Sequence, residues 1–250
     1  MRELLFVAYE CGRMQYRLAG RHPMMIVGNV VQPVALLLLV VQRAEQSHRA
    51  AGDLVVAVLL TSFWSGIVWT AGGILRRDQT TATLGATLLN ARDGRLVLVG
   101  RCLGVTVVSV CVLIVTGAVI PPVRGIAVEL PPLPWLVAGI VGLIVSGTCL
   151  SVLLACVFLA VRHGTHVTSA LIYPVLVLGG LLIPPSMVPD WLEWPAWFVS
   201  LSWIRTFMIE QDLRAGAMAV VVTCAYAVAG SYGFNRVLVL AQRRGTLELV

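Results

Sequence analysis

Long apolar runs alternate with short polar segments along almost the whole chain. A helix needs roughly 20 apolar residues to cross the hydrocarbon of a membrane, and runs of about that length occur six times. The pattern therefore predicts an all-α membrane protein with one transmembrane domain, residues 1–250, and six transmembrane helices. The predicted spans are residues 24–42, 54–75, 96–120, 134–161, 167–183 and 217–240.

Residues 1–22 carry a different pattern, that of an amphipathic helix. At about 100° per residue, five charged side chains gather on one sector and apolar side chains cover most of the rest. Such a helix is expected to lie along the membrane surface, and packing on a soluble partner is the alternative. Pro23 then ends it before the first span. The charged residues are Arg2, Glu3, Glu10, Arg13 and Arg17.

Composition agrees with a membrane location. Hydrophobic residues make up 58% of the chain, charged residues 12%, and the mean hydropathy is +0.90, whereas a soluble domain has about 25% charged residues. The six cysteines lie almost wholly in apolar runs. They are interpreted as small buried hydrophobic side chains, so neither disulfides nor a metal site are predicted.

All 18 basic residues are arginines, and lysine is absent. A phosphate-binding P-loop requires a lysine, so the chain is not expected to be an ATPase by itself. Arginine-rich loops stay cytoplasmic during insertion. With the N-terminus inside, thirteen arginines fall in cytoplasmic segments and five in outer ones, which predicts that both termini are cytoplasmic. This sidedness explains the net charge of +6, and no nucleic-acid binding is expected.

Residues 184–212 are too polar and too rich in proline for a straight span. Four of the seven tryptophans lie in this region, and tryptophan prefers the headgroup level of a membrane. We predict an extracytoplasmic re-entrant hairpin of two short helices, divided near Pro195 or Ser200; an aromatic belt at the mouth of the last span is the alternative. Irregular backbone at membrane depth requires surrounding protein or water, so the hairpin is a candidate gate. The gate residues are Pro184, Pro189, Trp191, Trp194 and Trp197.

A charged segment, RRDQTTATLGATLLNARDGR at 76–95, separates the second and third spans. It contains four arginines and two aspartates. Leu84 and Leu88 are spaced i, i+4, so one apolar ridge can enter a groove on a partner, and the flanking charges suit a polar rim. The other interpretation is that these arginines serve only as topology anchors.

The order of these elements resembles that of the permease subunits of type-2 ATP-binding cassette (ABC) exporters. Residues 179–208, GGLLIPPSMVPDWLEWPAWFVSLSWIRTFM, are similar to the family's small-residue turn, P-x-x-x-x-P-x-W and apolar return. RRDQTTATLG is similar to the family's charged start followed by G-T-L-E, and VVQPVALLLLV places Gln32 and Pro33 in the family's Q-P position. Two departures are Ala82, where the family has glycine, and Gly85, where it has an acidic residue. G-T-L-E itself occurs in the C-terminal tail, at 245–248.

The resemblance implies that residues 76–95 form a cytoplasmic coupling helix that docks on a separate nucleotide-binding subunit. The chain itself would be a non-catalytic subunit that binds no cofactor, with ATP and Mg on the partner. One chain supplies half of a transporter, so a homodimer or a heterodimer with a second permease is implied, and the two departures favour unequal halves. The implied coupling residues are Arg76, Arg77, Asp78, Thr83, Leu84, Leu88 and Arg92.

The predicted spans contain mostly neutral polar residues at depth. Charge at mid-bilayer costs roughly 2.5–3.5 kcal/mol on insertion scales, so a carrier of ions or protons usually retains an ionisable group there. A pathway without one suits a hydrophobic or amphiphilic substrate, such as a drug, a natural product or a lipid-like molecule. Arginine usage and alanine- and valine-rich spans are typical of a GC-rich bacterium, which predicts a bacterial cytoplasmic membrane and suggests antibiotic resistance. The predicted pathway residues are Asn29, Gln32, Ser62, Phe63, Trp64 and Trp69.

Two other classes of function were compared. A secondary transporter driven by an ion gradient is the alternative function, and dependence of transport on ATP and a partner would distinguish the two. An intramembrane serine protease is disfavoured because its serine needs a histidine at the same depth. All four histidines fall in predicted loops or at span ends: His22, His48, His163 and His166.

Overall fold

The computed structural model describes residues 10, 12–14, 30–44, 51–80, 94–125, 131–160, 175 and 194–243. Across these ranges the secondary structure is helical and no strand occurs. The helices are α1 (Gln32–Ala44), α2 (Ala51–Thr80), α3 (Gly94–Val123), α4 (Leu133–Ala160), α5 (Trp194–Trp197), α6 (Ser200–Glu210) and α7 (Leu213–Arg243).

Three helices are long and apolar enough to cross a membrane. They are Gly94–Val123, Leu133–Phe158 and Leu213–Arg236, at the positions of the third, fourth and sixth predicted spans. The protein is therefore an all-helical, multi-pass membrane protein. The helix α2 has a shorter apolar part, Leu54–Thr70. The six-span arrangement as a whole stays a prediction, because the fifth predicted span lies outside the described residues except for Val175.

The helices α2 and α7 extend furthest beyond the predicted spans. The helix α2 continues to Thr80, so the first five residues of the charged segment prolong it. The helix α7 begins at Leu213, four residues before the predicted start. The start is set by polar local structure: Gln211 closes α6 in the left-handed conformation (φ 56°), and the Asp212 carboxylate accepts the Arg214 N–H at 2.8 Å, as a helix N-cap does.

The core is built around α4, which contacts α2, α3, α6 and α7. Gly147 lies at the centre of this packing. A β-carbon there would come within 2.7 Å of Phe63 Cζ, 2.9 Å of Ile67 Cδ1 and 2.9 Å of Thr106 Cγ2. All three of these neighbours are fully buried, so the glycine allows α2 and α3 to approach α4 closely.

Of the predicted interfacial helix, the structure describes only Glu10, Gly12, Arg13 and Met14. Glu10 and Arg13 form an exposed ion pair at 3.5 Å with helical i, i+3 spacing. Gly12 packs directly on α3, since a β-carbon on Gly104 would lie 2.6 Å from Gly12 Cα. Gly12 thus contacts α3 through its backbone, and the location of the N-terminal segment at the membrane surface stays a prediction.

Candidate functional site

The turn between α5 and α6 has an unusually complete set of hydrogen bonds. The Val199 N–H donates to the Ala196 carbonyl (3.1 Å), and the Ser202 hydroxyl donates to the carbonyls of Ala196 (2.9 Å) and Val199 (2.6 Å). The Trp203 Nε1–H donates to the Trp197 carbonyl at 3.1 Å, and the Tyr226 hydroxyl donates to that of Phe198. Buried backbone groups that a helix no longer pairs must find other partners, and side chains of α6 and α7 provide several of them here.

A second polar contact joins the same turn to α4. Ser146 Oγ lies 2.5 Å from Ser200 Oγ, and both residues are buried. The Ser200 N–H, at the start of α6, also reaches the Tyr226 hydroxyl at 3.4 Å. One serine therefore links three helices, α4, α6 and α7. This cluster positions the first turn of α6 against the core.

Four neighbouring polar groups on α2 are buried with no hydrogen-bond partner. They are the hydroxyls of Thr61, Ser62 and Ser65 and the Trp64 Nε1–H, and each residue is at most 4% exposed. At 3.6 residues per turn they span roughly 160° of the helix, opposite the face that packs on Gly147. We call these four residues the α2 polar cluster.

Several threonines elsewhere in the described helices satisfy their hydroxyls locally. Thr70, Thr106, Thr148 and Thr223 each donate to the carbonyl four residues earlier, a common arrangement in apolar helices. The α2 polar cluster does not use this option. A buried polar group without a partner costs about 1–3 kcal/mol, so a ligand with hydrogen-bonding atoms would stabilise any of these four groups that it reached.

The comparison with protein families decides the class of this molecule. The family described as ABC-2 type transporter matches residues 8–211. The chain belongs to this family. No curated protein and no solved structure matches the chain. The resemblance stated from the sequence is thereby confirmed.

Membership assigns the coarse function. The chain is a membrane component of an ABC transporter, and the family implies association with an ATP-binding subunit. The match runs from the N-terminal segment to the end of α6, so it includes both the α2 polar cluster and the α5–α6 turn. These two features therefore belong to the transport domain.

Four of the predicted pathway residues of this ABC-2 transporter lie on α2. Ser62, Phe63 and Trp64 are buried within the chain, whereas Trp69 is 38% exposed. Gln32 is half-buried at the start of α1, and Asn29 lies outside the described residues. Ser62 and Trp64 lie at opposite edges of the α2 polar cluster, roughly 160° apart around the helix, and Phe63 lies on the other face, against Gly147.

The predicted gate residues are described only in part. Trp194 and Trp197 form the ends of α5, and both are 62% exposed. The Trp194 ring contacts the Phe198 ring edge-on, with centroids 6.2 Å apart. Pro184, Pro189 and Trp191 lie outside the described ranges. The gate therefore stays a prediction.

The predicted coupling residues fall at the edge of the described structure. Arg76, Arg77 and Asp78 belong to the last turns of α2, while Thr83, Leu84, Leu88 and Arg92 lie outside the described residues. Just beyond them, the Arg95 guanidinium donates to the Asn235 side-chain carbonyl. The start of α3 and the end of α7 therefore lie at the same end of the molecule as the coupling segment.

Sequence reasoning missed the Ser200–Tyr226 contact and the role of Gly147. Ser146 stands out in the sequence as a neutral polar residue in the fourth span, but its partner lies 54 residues away. No pattern of hydropathy identifies such a pair.

Within the described part of the chain, no group of three or more His, Cys, Asp or Glu side chains is arranged to hold a metal ion.

Proposed function

We propose that this chain is the permease subunit of an ABC exporter that moves a hydrophobic or amphiphilic substrate out of a bacterial cell. ATP would be hydrolysed, with Mg, on a separate nucleotide-binding subunit. The family match supports the permease role. The observation that carries the substrate class is the α2 polar cluster, which offers neutral hydrogen-bonding groups without partners beside the hydrophobic core.

The chemistry of the α2 polar cluster favours an uncharged polar group on the substrate. Its three hydroxyls donate or accept, and the indole N–H only donates, so carbonyl, ether and hydroxyl oxygens are suitable partners. No carboxylate or guanidinium belongs to the cluster. An amphiphile would place its polar oxygen atoms there and its apolar part among the surrounding aliphatic and aromatic side chains.

Coupling to ATP would pass through residues 76–95. In this proposal, the segment docks on the nucleotide-binding subunit with its Leu84–Leu88 ridge, and closure of two such subunits rocks two permease halves apart. ATP then shifts the population between two states because it binds them with different affinity. The second half is another copy of this chain or a paralogue. The polar ends of the segment form the rim of the interface.

The proposal also includes the orientation of the chain in the membrane. The arginine distribution supports a cytoplasmic location for both termini and for residues 76–95, and an outer location for the α5–α6 turn. Exposed Trp194 and Trp197 suit the outer headgroup level, where their rings contact lipid. The turn would then border the exit, held in place by Ser146 and Tyr226.

Transport in vesicles tests the proposal. The full chain is expressed with the nucleotide-binding subunit that copurifies with it, and uptake of a neutral fluorescent amphiphile into inside-out vesicles is measured. We expect uptake with ATP and Mg, and none with a hydrolysis-deficient partner. Uptake driven by a proton gradient without ATP would instead support the secondary transporter. Failure of any ATPase subunit to copurify would argue against the assembly.

A further inference from the structure

An apolar cavity, separate from the α2 polar cluster, opens between α2, α3, α4 and α6. Its volume is about 610 Å³, within the roughly 300–1,000 Å³ of small-molecule sites. All sixteen described residues that line it are Val, Leu, Ile, Met, Ala, Gly or Pro. The side chains of the walls therefore provide no hydrogen-bond partner.

The cavity opens at the exposed face of α3. Ile114 and Ala118 line it from α3, and both are exposed, with Ile114 at 47%. At the end where α3 leaves the span, Gly125 also lines it, and a β-carbon on this residue would meet no atom within 4 Å. The opening therefore extends along α3 to the connection between α3 and α4.

Water is a poor occupant because it needs two to four polar partners, and an empty cavity forfeits dispersion contacts along its walls. Hydrocarbon from the adjacent membrane needs no polar partner and makes dispersion contacts with the walls.

A cation also lies at the open end: Arg124 is exposed and directly precedes Gly125. An exposed arginine near a membrane surface attracts an anionic headgroup.

We propose that this cavity binds one hydrocarbon chain of an anionic membrane phospholipid, whose phosphate lies at Arg124. The lipid would come from the leaflet at the α3–α4 end, which is the outer leaflet in the orientation predicted above. It packs against α6 through Met208 and against α2 through Leu59 and Leu60. The lipid thus becomes part of the packing around the helix that follows the α5–α6 turn.

Photo-crosslinking tests this assignment. The full-length chain is placed in phosphatidylcholine vesicles that contain phosphatidylglycerol with a diazirine in its acyl chain, and labelled peptides are mapped by mass spectrometry. We expect labels on α3 near Ile114 and on α4 near Ile140. Ala118→Trp fills the cavity and should reduce this labelling about tenfold, as expected when overpacking closes a site.

The control is Val119→Trp, one residue further along α3. Val119 is 52% exposed and does not line the cavity, so its labelling should stay at the level of the unmodified chain. Ile140→Phe fills the cavity from the α4 wall and decides the question if Ala118→Trp does not fold. Equal labelling of the cavity-filling variants and the control would overturn the proposal.

A second arm tests the headgroup. Arg124→Gln should reduce the preference for phosphatidylglycerol over phosphatidylcholine probes about three- to fivefold, since one exposed basic residue contributes on the order of 1 kcal/mol near an anionic surface. An unchanged preference would contradict the role of Arg124. In the assembled transporter, labelling should not change with ATP turnover. ATP-dependent loss of the label would identify the lipid as transported cargo and overturn its role as a bound structural lipid.

Discussion

Ser146 and Ser200 place their hydroxyl oxygens 2.5 Å apart in the interior of the protein. The contact ties the middle of α4 to the first residue of α6, and Tyr226 extends it to α7. Because Val199 provides no side-chain cap for α6, the Tyr226 hydroxyl, which accepts the Ser200 N–H, takes over part of the role of a helix cap. It fixes where the short helix begins.

A double-mutant cycle on this pair should show strong coupling. Ser146→Ala or Ser200→Ala leaves the other hydroxyl buried without its partner, so each should lower the unfolding free energy by about 1–3 kcal/mol. The double variant should cost clearly less than the sum, because no orphaned hydroxyl remains. Thermal unfolding of the full chain in detergent measures this. Ser231→Ala, on the exposed face of α7, is the control, and strict additivity would refute the coupling.

Two glycines of α4 should respond in opposite ways to alanine. Gly147→Ala forces a methyl group against three buried neighbours at 2.7–2.9 Å, so we expect a destabilisation of about 1–3 kcal/mol. At Gly142 the nearest atoms, on Ile204, lie 3.9 Å away. Gly142→Ala should therefore be neutral or stabilise by up to about 1 kcal/mol through helix propensity. Equal melting temperatures for the two variants would show that the close approach at Gly147 is absent.

The α2 polar cluster should show opposite effects on stability and transport. Thr61→Val removes a hydroxyl that makes no hydrogen bond, so it should stabilise the empty protein by about 1–3 kcal/mol and yet weaken uptake of a polar amphiphile. The matched control, Thr106→Val, removes a hydroxyl that donates to the Cys102 carbonyl at 2.9 Å and should destabilise by about 1 kcal/mol. Thermal unfolding and vesicle uptake are measured together. If Thr61→Val lowers the stability, the Thr61 hydroxyl has a hydrogen-bond partner in the protein, and the prediction is wrong.

If residues 76–95 couple this chain to the ATPase of its partner, a variant in this segment can lose coupling and still insert into the membrane. Leu88→Asp places a charge on the apolar ridge and should leave membrane insertion unchanged but reduce substrate-stimulated ATPase activity of the partner by about 30-fold or more, as for loss of an interface hot spot. Leu88→Met conserves volume and apolarity and should retain stimulation. ATP hydrolysis by the copurified complex gives the measurement. Unchanged stimulation of the partner's ATPase by Leu88→Asp would show that the partner docks on another part of the chain.

The spans were predictable because membrane crossing depends on hydropathy summed over many residues, and single errors average out. α3, α4 and α7 were recognised this way. The exact start of α7 was not, since it depends on one left-handed residue, Gln211, and one cap, Asp212. Periodicity also shows which residues are apolar, but it does not show which buried hydroxyls find partners. Thr61 and Thr106 have the same chemistry and differ only in their rotamers and neighbours.

The contact between Gly12 and Gly104 has a mechanical consequence. Side chains normally form a compressible layer between two elements, and here that layer is missing because backbone meets backbone. A displacement of α3 at Gly104 would therefore bring its backbone into collision with Gly12 unless Gly12 moved as well. We expect Gly12 to follow any movement of this part of α3.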